Sequence, residues 1–78
     1  MRYFFHIYDD VETLDLEGME LPSIEAAIAI ARHDLGQVIA DELIHLGKVN
    51  TASRIDIGVE DRQIVASVCF DDLLERDH

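Results

Sequence analysis

Apolar and polar positions along the chain alternate first, then recur every three or four residues, then alternate again. In residues 2–8, RYFFHIY, Tyr3, Phe5 and Ile7 fall on one side of an extended chain and Phe4, His6 and Tyr8 on the other. Successive side chains of a strand point to opposite faces, and neither set here is a water face, so the pattern predicts a central strand. Asp9-Asp10 offers a turn. Residues 11–16 set Glu12, Leu14 and Leu16 against Val11, Thr13 and Asp15 and predict the second strand of a hairpin. Gly18 and Pro22 punctuate the connection that follows.

Ser23 is suited to cap a helix, Glu25 suits the positive end of its dipole, and Gly47 suits a left-handed terminus. Between them Ile24, Ala27, Ile28, Ala31, Leu35, Val38, Ile39 and Leu46 recur at helical spacing and predict one inner stripe over 24–46. A helix of about 35 Å outruns strands of roughly 20–23 Å, so it overhangs the sheet or bends, with Gly36 the place for a bend. Glu42 lies in line with Ile24, at the centre of that stripe. Either the overhang exposes its carboxylate, or an Arg or Lys pairs with it.

Alternation resumes over 53–59, with Ile55, Ile57 and Val59 inward, and over 63–70, with Ile64, Ala66, Val68 and Phe70 inward and Val65, Ser67 and Cys69 outward. Residues 71–78 read as an acidic, partly flexible tail with at most one helical turn. The order β-β-α-β-β predicts a two-layer α+β domain, one helix covering one face of a four-stranded, mainly antiparallel sheet. Strand order 2-1-3-4 keeps every neighbour antiparallel and places RYFFHIY in the middle.

Seventy-eight residues make a single domain with a thin margin of stability, since such a chain buries only roughly 60% of its unfolded surface. The single cysteine excludes an internal disulfide, and no Cys/His spacing suggests structural zinc. A lone thiol, with no targeting segment and no apolar run near the roughly 18 residues of a membrane span, leads us to expect a cytoplasmic protein that does not enter membranes. Oligomerisation is the remaining way to add stability, and a homodimer is expected.

Seventeen acids against six bases give a net charge of −11, which opposes direct nucleic-acid binding. Seven acids and no base lie between Asp9 and Glu25. They are most simply a solubilising surface, though they also suit a basic partner protein.

The chain resembles a family of small bacterial proteins of unknown function that open with RYFFH. The resemblance rests on RYFFH at 2–6, EGMELPSIEAA at 17–27, RIDI at 54–57 and VCF at 68–70. The family pattern has Asp-Gly where this chain has Asp9-Asp10, and Pro where it has Cys69. The resemblance implies one compact domain and brings no activity, cofactor or catalytic residue.

Candidate chemistry is sparse. His6 would need Asp9 or Asp10 to converge on a common point for metal binding or acid–base work, and the turn would have to bring them there. Cys69 has no base near it in sequence to activate it. No phosphate loop, nucleophile elbow or paired-His helix motif is present, so neither catalytic residues nor a metal or cofactor are expected. Two surfaces are suited to a partner. The first is the outer sheet face, with Phe4, His6, Tyr8, Val65 and Cys69, which the lone helix cannot cover. The second is the back of the helix, along Ile30, Gln37 and Ile44. The expected function is a non-catalytic binding or regulatory module that pairs with itself. The alternatives are a small enzyme or metal binder built on His6, and an acidic decoy for a basic nucleic-acid-binding protein.

Overall fold

The first strand, β1 (Arg2–Tyr8), lies inside an antiparallel sheet in a computed structural model that describes residues 1–74. It is followed by two short strands, β2 (Glu12–Thr13) and β3 (Met19–Glu20), and by the long helix α1 (Ile24–Leu46). Strands β4 (Arg54–Gly58) and β5 (Ile64–Cys69) complete the sheet, and a single turn, α2 (Phe70–Leu73), follows. The sheet order is β2-β1-β4-β5, with β3 also on β1, so the α+β architecture and the central place of RYFFHIY are as expected. Residues 75–78 of the expected tail, His78 included, lie outside the described residues.

The ends of α1 follow from their caps. Ser23 Oγ accepts the Ala26 N–H at 3.2 Å, and Gly47, at φ 72°, turns out of the helix while its N–H closes on the Leu43 carbonyl. The buried face is narrower than the stripe. Ala27, Ala31 and Leu35 are fully buried against Ile55, Ile57, Val68 and Tyr3, with Ile24, Ile28 and Ile39 packed beside them. Leu46, expected inside, is 61% exposed, and Leu43 and Ile44 are exposed too. The last turn has run past the sheet, as its length requires. Among the described residues no helix is long and apolar enough to cross a membrane.

Two strands depart from simple alternation. The expected strand over 11–16 is split, because residues 14–18 lie opposite only residues 4–6 of β1, between the pairs Ile7–Thr13 and Tyr3–Met19. Two residues are therefore looped out, and the sheet has five strands rather than four. In β5, Ile57 pairs with Ala66 but Gly58 with Ile64, which leaves Val65 as a bulge without a cross-strand partner. That one-residue slip reverses the facing of Ile64. It was expected in the core, and it lies on the outer face instead, 45% exposed.

Candidate functional site

The side of the sheet away from α1 is organised as three rows across β1, β4 and β5: Tyr8–Arg54–Cys69, His6–Asp56–Ser67 and Phe4–Gly58–Ile64. The first two rows are occupied by their own chemistry. The Arg54 guanidinium sits 4.3 Å from the Tyr8 ring centre and bonds Asp56 at 3.0 Å, and Ser67 Oγ donates to the same Asp56 oxygen at 2.7 Å. Burial, with the charges of Glu12 and Asp56, raises the Tyr8 phenol above its ordinary value. The half of the face nearest Tyr8 is thus a closed polar lattice.

The third row is open. Phe4, His6 and Ile64 line a trough of about 460 Å³, walled on one side by Leu14, Asp15 and Leu16 and on the other by Val59, Glu60 and Arg62. Leu14 is 52% and Leu16 86% exposed. Both owe their positions to Asp15 between them. Asp15 Oδ2 accepts the Phe5 N–H at 3.1 Å, standing in for the backbone acceptor that the looped strand withholds. Its Oδ1 accepts the N–H groups of Glu17 and Gly18 at 3.0 and 3.1 Å. Burial raises the Asp15 carboxyl, but the donors Gly18, Phe5 and Glu17, with the nearby His6, outweigh it and hold the group below the usual carboxylate range.

The Asp15 N–H in turn donates to His6 Nδ1 at 3.1 Å, which places the proton of the neutral imidazole on Nε2. Gly18 completes the strap at φ 73°, where a Cβ would stand 2.8 Å from Arg2 Cγ and 2.9 Å from Phe4 Cε1. No other residue fits there without moving the Phe4 ring.

A second cluster lies at the far end of β1. Asp9, Asp10 and Glu42 offer three carboxylate oxygens within 4.8 Å of one another, the grouping among the described residues that could hold a metal ion. His6 is not part of it, so the His6–Asp9–Asp10 convergence weighed from sequence does not form. Glu42 is half-buried and, among the described residues, is not paired with a base. Its carboxyl is hydrogen-bonded to Asp9 and accepts the Asn50 N–H at 3.4 Å.

Asp9 also takes the Ser53 hydroxyl at 2.5 Å, and Asn50 Nδ2 donates to Asp10 at 3.1 Å. The bond to Glu42, then that from Ser53, lowers Asp9, while the bond to Asp9, then burial, raises Glu42. When Glu42 carries its proton it can donate to Asp9 and so tie α1 to the turn after β1 without a cation.

The sign of the pH dependence follows. Glu42 favours its protonated form in the fold, so its contribution is lost as pH rises through its raised pKa. Asp9 favours the ionised form, so its contribution is lost as pH falls through its lowered one. The clasp is strongest between the two. Glu42→Gln keeps a donor for Asp9 without a charge, and should raise Tm at pH 7 while the gain shrinks towards pH 4. Thermal melts of both proteins across that range would show it; a gain that is constant with pH would exclude the proton on Glu42.

Of the residues expected on the outer face, Phe4 and His6 form the trough, while Tyr8, which also lines it, is covered in part by Arg54. Val65 is exposed at the bulge and does not line the trough. Cys69 is an exposed free thiol at the β5 end of the first row, directly opposite Arg54, a base that proximity in sequence does not reveal. On the helix back, Ile30 is half-buried, whereas Gln37 and Ile44 are exposed.

Leu14, Leu16, Asp15 and Ile64 were not singled out for this surface. Only Asp15 carried a local signal: an Asp followed three residues later by Gly suits a side chain that bonds the backbone just ahead of it.

The family model described as Domain of unknown function (DUF6894) matches residues 2–71, and the chain belongs to that family. No curated protein and no solved structure matches the chain.

Proposed function

We propose that this domain is a non-catalytic binding module that works as a homodimer, paired through the outer face of its sheet. The observation that carries this reading is the open trough around Phe4, on the side that α1 does not reach. Burying large apolar side chains contributes roughly 1.5–3 kcal/mol each, a substantial share of the stability of a domain this small. A second copy suits the trough because the face carries both parts of a self-complementary contact. Leu16 stands beside the trough it could fill in a two-fold partner, and such pairing needs no other sequence. The charged lattice around Arg54 and Asp56 then forms the rim, as polar groups do at interfaces.

Sedimentation over a range of concentrations tests this. The wild type should dimerise, and added salt should tighten the dimer because each copy carries −11. Phe4→Asp should give a folded monomer, and Ile44→Asp, on the helix back, should leave the dimer intact. A wild type that stays monomeric at every concentration and salt, or an Ile44→Asp monomer beside a Phe4→Asp dimer, would refute the pairing.

A further inference from the structure

We propose that the contact between His6 and the Asp15 N–H is a proton-operated latch on the outer sheet face. Neutral His6 holds the strap that places Leu14 and Leu16 beside the trough, and protonated His6 releases it. The consequence for assembly rests on the pairing proposed above; the latch itself does not. The neutral ring offers Nδ1 as an acceptor, and the Asp15 N–H occupies it at 3.1 Å. A second proton must go to Nδ1, where it would face that N–H donor to donor. Imidazole is the side chain whose unperturbed charge change lies between about pH 5 and 8, the range over which the contact is to be tested.

The charged groups around the ring come from three elements. The strap contributes Asp15, β4 contributes Asp56 with its partner Arg54, and the β4–β5 turn contributes Glu60 and Arg62. The nearest carboxylates are already in use, Asp15 through both oxygens and Asp56 through Oδ1. Asp15 holds the N–H groups of Phe5, Glu17 and Gly18, and Asp56 holds Arg54 and Ser67. An imidazolium could bond the remaining lone pair of Asp15 Oδ2 only by carrying Nδ1 away from the Asp15 N–H, and that course too moves the strap. His6 Nε2 lies 3.4 Å from where a Gly58 Cβ would be, so the ring has β4 backbone behind it and the strap in front. The strap, with Leu14, Asp15 and Leu16 at its crest, is the side free to yield.

The experiment is a pH titration from about pH 8 to pH 5 on the full chain, in about 0.5 M salt to screen the changing net charge. Nitrogen-15 spectra of the imidazole should show the proton on Nε2 at high pH. On acidification, exchange of the Asp15, Glu17 and Gly18 amides, corrected for intrinsic rates, should rise by about tenfold, the equivalent of one hydrogen bond, and the dimer should weaken by a similar factor. His6→Asn offers an oxygen near the place of Nδ1 that does not titrate, and should show neither change.

Nε2 unprotonated in the neutral ring, strap amides indifferent to pH, or an equal response in His6→Asn would each overturn the latch. If no dimer forms at any pH while the amides respond, the pairing fails and the latch stands.

Discussion

Leu35→Ala should cost about 3 kcal/mol and lower Tm by roughly 12–24 °C. Leu35 is fully buried in the middle of α1, among Ala27, Ala31, Ile55 and Ile57. Ala27 and Ala31, which precede it on the buried face of the helix, have no side chain long enough to fill the space a leucine leaves. The cavity term is therefore added nearly in full to the lost transfer energy. A domain of 78 residues stands near the low end of the usual 5–15 kcal/mol. The variant should accordingly be partly unfolded at physiological temperature. Leu46→Ala, in the same helix and of the same chemistry, should change stability by no more than about 0.5 kcal/mol, because its side chain is already in water. Paired thermal melts at one protein concentration decide it; equal losses would mean that the helix lies deeper over the sheet at its C-terminal end.

Asp15→Ala should be the most damaging change outside the core. It removes the acceptor of three backbone N–H groups, of which Phe5 is inside the sheet, Gly18 is half-buried and Glu17 is exposed. We expect a loss of about 2–3 kcal/mol, dominated by the stranded Phe5 donor. Asp15→Asn has only one oxygen for donors that now reach both, and should fall between the two. Amide exchange separates this from general weakening: Phe5 and Gly18 should lose protection early, while the β4 amides of Ile55 and Ile57 open only with the whole domain. Uniform acceleration along the chain would mean that the strap is not an independent unit.

The parts of the fold that rest on local chemistry were legible in the sequence. The helix was bounded correctly at 24 and 46 because a serine cap and a glycine terminus are written into adjacent residues. The first strand was bounded correctly at 2 and 8, and its two-faced apolar pattern placed it in the middle of the sheet. What was missed depends on distant partners. Hydropathy has no sign for a carboxylate that replaces a backbone acceptor, so 11–16 read as one strand. A one-residue bulge leaves alternation intact on either side while reversing the facing of Ile64.

The Asp9–Glu42 pair escaped for a different reason. Two acids are expected to avoid each other unless they share a proton, and no spacing rule links positions so far apart in the chain. At the candidate site, Phe4 and His6 were found from alternation alone, and the walls of the trough were not.

The slip at Val65 also bears on how the molecule behaves in crowded solution. Residues 64–70, IVASVCF, form an uncharged run rich in strand-favouring residues, and β5 is the outermost strand of the sheet. A straight edge of that composition is a template for stacking chain upon chain into fibres. Here the template is cut at both ends. The bulge bends the strand at one end, and at the other the Cys69 N–H is turned back to Asp72 Oδ2 at 2.7 Å. Ser67 sits between the two interruptions, too short a stretch for a stranger's strand to copy.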